Sequence, residues 1–262
     1  MLVRESALTQ ERATEVLNNV CSERKIPGAA LGVIVNGEVV VKTVVGTANV
    51  GTGLAATDDT LFQAGSVGKS YTATVVMQLV DEGKLDLDRP VKEYISDLEL
   101  NDPDATRTVT TRHLLTHTSG IDGDRFDDDG AYGRGDDCLA KYTSDLKTLP
   151  MITAPGGLWS YCNSGYILLG RLIEVLTGAT FESAIKERLL DPLGLKKTFY
   201  FPGEVILHSV AVGHMPQGDG EPVVSPVWEF PRVTHPAGGN LSTTIEELLA
   251  FAQLHLNGGI AP

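Results

Sequence analysis

Ser66 and Lys69 are the two residues whose types and spacing most directly suggest chemistry. A short strand-like run ends at Ala64, and from Lys69 the apolar residues recur as in a buried helix. Because this spacing is close to one helical turn, both side chains would lie on the same face of that helix. A serine hydroxyl becomes nucleophilic when a base takes its proton, and a lysine sheltered from water can act as that base. The pattern therefore predicts a nucleophile at Ser66 beside helix N–H groups that favour developing negative charge.

The spacing alone is weak evidence, because the chain contains four Ser-x-x-Lys pairs and roughly one is expected by chance. The other pairs are Ser22/Lys25, Ser144/Lys147 and Ser183/Lys186. Each lies in a polar or amphipathic stretch that is typical of a solvated helix face. Only Ser66 has glycines close by on both sides and an apolar helix behind it. The alternative role for Ser66 is that of an ordinary helix N-cap, a position that favours serine.

Two further patterns resemble metal sites. His113 and His117 have the spacing that zinc enzymes use on a helix, but the glutamate of that motif is absent and no third ligand is evident. The glycine- and aspartate-rich stretch 122–137 resembles a calcium loop only superficially, because Arg125 and Phe126 stand where ligands belong. We therefore expect His113 and His117 to have structural roles, and 122–137 to form a solvated loop over a site or at the surface. No metal or other cofactor is expected.

Apolar periodicity and turn signals predict the elements that must position these residues. Asn36-Gly37 joins two apolar runs, 29–35 and 38–45, which is a strong signal for an antiparallel hairpin. Helices are predicted over about 9–24, 69–80, 110–117, 166–176, 180–189 and 244–256, the last with a cap at Ser242 or Thr243. Most helices fall between about 66 and 190 and the hairpin lies outside them, which suggests one α/β unit with an all-helical insertion.

Composition excludes several classes of function. The 262 residues carry a formal net charge of −13, which argues against a nucleic-acid partner. No apolar run is long enough to cross a bilayer, and the first residues lack the apolar core of a signal peptide. Cys21, Cys138 and Cys162 have no regular spacing, so neither a disulfide framework nor a zinc knuckle is indicated. We expect a cytoplasmic protein.

Four segments together resemble the serine β-lactamases and penicillin-recognising hydrolases, above all the class C branch. Phe62-Gln-Ala-Gly-Ser-Val-Gly-Lys69 is similar to the first motif of that family, and Pro155-Gly-Gly-Leu-Trp-Ser-Tyr-Cys-Asn163 is similar to the second, Tyr-x-Asn. His113-Leu-Leu-Thr-His-Thr-Ser-Gly120 and Pro236-Ala-Gly-Gly239 resemble further segments of these proteins. The branch includes class C β-lactamases, D-alanyl-D-alanine carboxypeptidases, D-aminopeptidases and family VIII esterases. The likeness covers nearly the whole chain.

The resemblance implies a role for each matching residue. Ser66 would be acylated, and Lys69 would hold or take its proton. Tyr161 would act as general base in acylation and deacylation. Asn163 would hydrogen-bond the substrate, and the N–H of Ser66 would form half of an oxyanion hole. Considered singly, Tyr161 could merely pack under a loop and Asn163 could cap a helix.

The sequence departs from the family in one respect. A third motif, Lys-Thr-Gly or His-x-Gly, should follow the segment 236–239 on a strand, and neither occurs there. The second oxyanion donor and the strands that would pair with the 29–45 hairpin are therefore not identified. We expect that the chain is incomplete at its C-terminus. A continuation chain, or self-association through the hairpin, would then supply the missing neighbours.

The fold class that follows is α/β (α+β), a β-lactamase/transpeptidase-like antiparallel sheet flanked by helices with an all-helical region. One catalytic domain would span 1–262: helix and hairpin over 1–65, mainly helices over 66–200, and a return toward the sheet over 201–262. The predicted function is a serine hydrolase that cleaves a β-lactam, a D-amino-acid peptide or a carboxylic ester, with a small molecule or peptide as substrate. The alternatives are a catalytically impaired binding or regulatory module and an α/β-hydrolase esterase, for which 64–68 approximates a nucleophile elbow.

Overall fold

The computed structural model describes residues 8–123, 130–218 and 220–261. The helices are α1 Gln10–Arg24, α2 Gly68–Asp81, α3 Pro103–Thr108, α4 Thr111–Leu115, α5 Cys138–Asp145, α6 Asn163–Thr177, α7 Phe181–Ile185, α8 Asp191–Leu193, α9 Pro202–Val205 and α10 Ile245–Leu256. The strands are β1 Gly28–Val35, β2 Glu38–Asn49, β3 Leu54–Ala55, β4 Phe62–Gln63, β5 Thr198–Phe199, β6 His214–Met215, β7 Val223–Val224 and β8 Ser242–Thr243. The chain divides into two compact units.

The first unit contains the sheets, and it combines 8–63 and 242–261 with the described part of 192–229. Strands β1 and β2 form the predicted hairpin, in antiparallel register from Gly28↔Gly46 to Val35↔Glu38. The turn residues Asn36 and Gly37 have φ values of 53° and 85°, as a tight hairpin turn requires. Helix α1 packs against β2 and α10 packs against β1, so helices flank the hairpin.

Two smaller sheets complete the first unit. Strand β8 lies between β4 and β5, and β6 pairs with β7. Every pair of named strands in the described residues is antiparallel. The predicted antiparallel α+β fold is therefore confirmed, and the parallel sheet that an α/β-hydrolase needs is not formed by these strands.

The predicted cap of the last helix is wrong by one or two residues. The N-cap of α10 is Thr244, whose side-chain oxygen accepts a hydrogen bond from the N–H of Glu247. Ser242 and Thr243 instead form β8 and pair with β4 and β5. Strand pairing with distant segments thus decides where the helix begins, and local propensity does not.

The second unit is helical and comprises the described residues of 64–191 together with 230–241. Helix α6 lies at its centre, where it contacts α2, α4, α5 and α7. Both α2 and α6 bury apolar side chains completely, including Val75, Leu79, Leu168 and Leu172. Packing of these buried residues holds the first turns of α2 and α6 close together. The candidate site lies at these two helix starts. A single catalytic domain over 1–262 stays a prediction.

Candidate active site

Ser66 lies where the chain enters α2. Gly65, Ser66 and Val67 form a short 3-10 turn that continues directly into the helix. Gly65 has a φ of +54°, a backbone conformation that glycine adopts without strain. The Ser66 hydroxyl does not cap the helix, since the N-cap is Val67. The Ser66 Oγ instead lies 3.2 Å from the Nζ of Lys69, so the predicted serine–lysine pair is formed.

Lys69 is buried, with only 5% of its surface exposed. Its Nζ donates to the Oδ1 of Asn163 at 2.8 Å and to the main-chain oxygen of Ala237 at 2.6 Å. The same nitrogen lies 4.8 Å from the centroid of the Tyr161 ring. The structure therefore brings all four predicted site residues together: Ser66, Lys69, Tyr161 and Asn163.

The partners of Lys69 suit proton transfer. The two carbonyl oxygens of Asn163 and Ala237 can only accept hydrogen bonds. In the neutral amine they would engage both N–H groups, so the nitrogen lone pair would face the hydroxyl of Ser66. Burial lowers the pKa of Lys69, although the nearby Tyr161 and Cys162 side chains oppose this shift. A lowered pKa makes the neutral amine more accessible near neutral pH.

The carbonyl of Ala237 reaches Lys69 because the backbone of the 236–239 segment lies in contact with the backbone of the Ser66 turn. Gly238 has a φ of +98°, and a Cβ atom added there would lie 2.1 Å from the main-chain oxygen of Gly65. Only a residue without a side chain fits this position. The Pro236-Ala-Gly-Gly239 segment thus presses against the Ser66 turn.

We expect Gly238→Ala to disturb this contact and to slow the predicted acylation of Ser66 by more than about tenfold, because the segment must move away from Gly65 and take the Ala237 carbonyl with it. A suitable control is Gly83→Ala. Gly83 also has a positive φ, of +68°, but an added Cβ would meet no atom within 4 Å. Both variants should lose about 1 kcal/mol of stability from the backbone conformation, and only Gly238→Ala should label slowly. Equal labelling rates would contradict the positioning role of this segment.

Tyr161 and Asn163 flank the start of α6. The N-cap is Cys162, whose sulfur accepts a hydrogen bond from the N–H of Gly165 at 3.2 Å. Asn163 is the first helical residue, and its amide oxygen faces Lys69. Tyr161 does not pack under a loop, since it is 39% exposed. Neither of the alternative roles weighed from the sequence, a capping asparagine and a packed tyrosine, describes these residues.

A buried polar network, which the sequence did not indicate, includes the residues on either side of the 236–239 segment. The N–H of Phe230 donates to Asn240 Oδ1, which fixes the orientation of that amide. Asn240 Nδ2 then donates to His235 Nε2 at 3.1 Å, so the proton of the imidazole must be on Nδ1. That Nδ1–H donates to Glu182 Oε1 at 2.7 Å, and Arg232 forms a bidentate ion pair with the same carboxylate at 2.9 Å. Burial opposes ionisation of Glu182, but the hydrogen bonds from Arg232 and His235 outweigh it and lower its pKa to about 2.

We expect Glu182→Gln to lower the free energy of unfolding by about 3–5 kcal/mol, because it removes one partner of a buried ion pair. Asp136→Asn is the matched control. Asp136 binds the same Arg232 at 2.8 Å, but its side chain is 77% exposed, so the loss there should be at most about 1 kcal/mol. Urea unfolding near neutral pH measures both.

The same carboxylate gives a pH dependence. Because the pKa of Glu182 in the folded protein, about 2, is below its ordinary value of 4.5, its stabilisation is present above that ordinary value. It is lost as the pH falls from about 4.5 toward about 2. The parent should therefore lose more stability than Glu182→Gln over this range. Parallel stability curves would contradict the assignment.

The lysines of the other three Ser-x-x-Lys pairs contact other residues. Lys147 binds Glu99 at 3.6 Å, Lys186 binds Asp191, and Lys25 donates to the main chain of Gly220 at 3.3 Å. Ser66 and Lys69, by contrast, are hydrogen-bonded to each other at 3.2 Å.

His113 and His117 do not share a site. His113 Nδ1 accepts from the N–H of Thr110 in a capping box, whereas His117 Nδ1 accepts from the N–H of Cys162. The described part of the chain contains no group of three or more His, Cys, Asp and Glu side chains that could hold a metal ion. Arg125 and Phe126, on which the calcium-loop comparison depended, lie outside the described residues.

Comparisons with known proteins show which family and fold this chain resembles. The model of the Beta-lactamase family matches residues 6–262. Penicillin-binding protein 4 of Amycolatopsis lactamdurans is 43% identical over 242 residues, which are 92% of this chain and 62% of that protein. An octameric penicillin-binding protein homologue from Pyrococcus abyssi superposes with a TM-score of 0.76 at 29% identity, over 95% of this chain and 57% of that one. A class C β-lactamase from Rhodobacter sphaeroides has the same fold, with a TM-score of 0.77 at 24% identity, over 96% of this chain and 67% of that one.

The chain therefore belongs to the beta-lactamase family, whose members are serine hydrolases and penicillin-binding proteins. The resemblance expected from the Ser66 and Tyr161 motifs is confirmed. The chain spans about 62% of the length of the Amycolatopsis relative. None of the helices in the described ranges has the length and apolar character needed to traverse a bilayer.

Proposed function

We propose that this protein is a serine hydrolase that forms an acyl-enzyme on Ser66. The observation that carries the proposal is the hydrogen bond between Ser66 Oγ and a buried Lys69 whose other partners are carbonyl oxygens. Such a lysine is oriented to take the hydroxyl proton. The N–H of Ser66 lies at the start of a helical segment, where it has no partner within the helix, and it would bind the oxyanion.

The proposed reaction has two stages, acylation of Ser66 and hydrolysis of the acyl-enzyme. As the Ser66 oxygen bonds to the substrate carbonyl carbon, its proton moves to Lys69. The tetrahedral intermediate collapses, and as the bond to the leaving nitrogen or oxygen breaks, that atom takes the phenol proton of Tyr161, which becomes a phenolate. Water then attacks the acyl carbon and gives one proton to the Tyr161 phenolate. The bond between the acyl carbon and Ser66 Oγ breaks, and Lys69 returns its proton to that oxygen. Asn163 holds both Lys69 and the substrate.

Covalent labelling tests the proposal. The intact chain is treated with a fluorescent penicillin or a fluorophosphonate, and the adduct is located by peptide mass spectrometry. We expect the label on Ser66 with a stoichiometry approaching one per chain. Turnover is then measured on a chromogenic cephalosporin, a nitrophenyl ester and a D-alanyl amide, which separates the substrate classes. A label on another serine, or no label from either reagent, would refute the proposal.

A second candidate is a binding or regulatory module that keeps the pocket and lacks the chemistry. Similarity to a penicillin-binding protein supports recognition of a β-lactam in either case. The module predicts reversible binding of penicillin without a covalent adduct, so the same labelling experiment separates the two functions.

Self-association through the 29–45 hairpin also stays a prediction. Within the described residues β1 pairs only with β2, and an open strand edge can accept a further strand. The similarity to an octameric protein supports this proposal. Light scattering on the purified chain tests it, and a monomer at all concentrations would refute it.

A further inference from the structure

His117 follows α4, and its backbone is held in an unusual conformation. Its φ is +58°, in the left-handed region that is uncommon for residues other than glycine and that asparagine, aspartate and histidine adopt more often than most. The preceding residue, Thr116, is the C-cap of α4. The turn at His117 therefore leads the chain away from the helix and across the segment that contains Tyr161.

Two hydrogen bonds join His117 to the residues on either side of Tyr161. The main-chain oxygen of His117 accepts from the N–H of Ser160 at 2.9 Å. Its side-chain Nδ1 accepts from the N–H of Cys162 at 3.0 Å. The imidazole also lies against the Tyr161 ring, with centroids 4.5 Å apart and planes inclined by 32°. One residue thus holds the backbone before and after Tyr161 as well as the ring itself.

These contacts fix the charge state of His117. A main-chain N–H can only donate, so the Nδ1 that accepts from Cys162 carries no proton. The ring is therefore neutral, with its proton on Nε2. Burial, followed by the nearby charge of Lys69, lowers the pKa of His117, in agreement with a neutral ring. The titratable groups that face the ring are Lys69 from α2, Tyr161 and Cys162 from the segment before α6, and Tyr166 from α6.

The side chain of Tyr161 is not held in place by burial. It is 39% exposed, and its neighbours Leu158 and Trp159 are 57% and 64% exposed. A ring this accessible gains little from packing and could adopt other rotamers. Proton transfer nevertheless requires the phenol to be placed accurately, because a displacement of about 1 Å can cost about a hundredfold in rate.

We propose that His117 is the positioning residue for Tyr161: it clamps the main chain on both sides of Tyr161 and supports its ring so that the phenol is aimed at the reacting atoms. This inference rests on the proposed function, because it assigns His117 a role that acts through Tyr161. It predicts that changes at His117 lower kcat and leave KM nearly unchanged.

A matched pair of variants isolates the Nδ1 contact. His117→Asn keeps an acceptor close to the position of Nδ1, and asparagine tolerates a positive φ. His117→Gln has no acceptor at that position, since its amide lies about where Nε2 was. We expect kcat to fall by about tenfold to a hundredfold for His117→Gln and by clearly less for His117→Asn. Equal losses in the two variants would show that the Nδ1 contact does not position Tyr161.

A double-mutant cycle tests whether the effect passes through Tyr161. In a Tyr161→Phe background, His117→Gln should cause little further loss, because the phenol that it positions is already absent. Losses that multiply would overturn the proposal. If His117→Gln does not fold, as judged by thermal unfolding, the cycle is run with His117→Gly, which has no side-chain acceptor and adopts a positive φ without strain, and it is read in the same way.

The outcomes also separate this inference from the proposed function. Failure to label Ser66, or an unimpaired Tyr161→Phe variant, would refute the serine-hydrolase mechanism or the role of Tyr161 in it. A labelled Ser66 and an impaired Tyr161→Phe variant, combined with independent losses at His117, would refute only the positioning role.

Discussion

Ser66→Ala is expected to abolish covalent labelling and turnover completely. The substitution removes the only atom that the mechanism would acylate, and Lys69 keeps its hydrogen bonds to Asn163 and Ala237. The fold should therefore survive, because Ser66 does not cap α2. Removal of a catalytic nucleophile can cost as much as removal of the whole catalytic group, about a millionfold in kcat. Intact-protein mass spectrometry after incubation with a fluorophosphonate measures the loss directly.

The chain supplies matched controls in its three other Ser-x-x-Lys pairs. Ser22→Ala, Ser144→Ala and Ser183→Ala should each label at the parental rate. Ser144 Oγ donates to the main chain of Ala140, and Ser183 Oγ accepts from Thr180, so these two serines bond to residues close to them in the chain. An adduct that persists in Ser66→Ala would show that the nucleophile has been assigned wrongly.

Local signals in the sequence predicted much of the fold. Asn36-Gly37 specifies a turn that needs positive φ at both positions, so the hairpin could be located from two residues. Helix α6 was predicted from Tyr166 onward and begins at Asn163. Its first turn carries Asn163, Ser164 and Gly165 in place of the apolar pattern, so periodicity does not reveal it. Asn163, a residue of the candidate site, takes the first position of α6 in place of a residue with a stronger helix propensity.

The parts of the site that the sequence did not predict depend on contacts between distant residues. The acceptor for Lys69 at Ala237 is a main-chain oxygen, 168 positions along the chain, and no residue type marks such a carbonyl. Glu182 and Arg232 each look like ordinary surface charges in sequence. Only the fold places Glu182 between Arg232 and His235. A positively charged partner at the right distance explains why a buried carboxylate is tolerated there, and that distance is a property of tertiary structure.

Tyr161→Phe is expected to lower kcat by a factor of about a hundred to ten thousand, the usual effect of losing a general acid–base group. The phenol oxygen would carry protons to the leaving group and from the attacking water, and phenylalanine has no atom to replace it. Stability should hardly change, because Tyr161 is partly exposed and the remaining ring still contacts His117. Steady-state kinetics and thermal unfolding, measured on the same preparation, separate the two effects.

The neighbouring tyrosine provides the control that makes this result specific. Tyr166 also lies beside Lys69, with its ring centroid 5.6 Å from Nζ. Its hydroxyl, however, donates to the main-chain oxygen of Leu115 at 3.1 Å, and the residue is 6% exposed. Tyr166→Phe should therefore cost about 1 kcal/mol of stability and leave kcat within a few-fold of the parent. Turnover close to the parental rate in Tyr161→Phe would remove Tyr161 from the mechanism, and an equal loss in both variants would point to a general disturbance around Lys69.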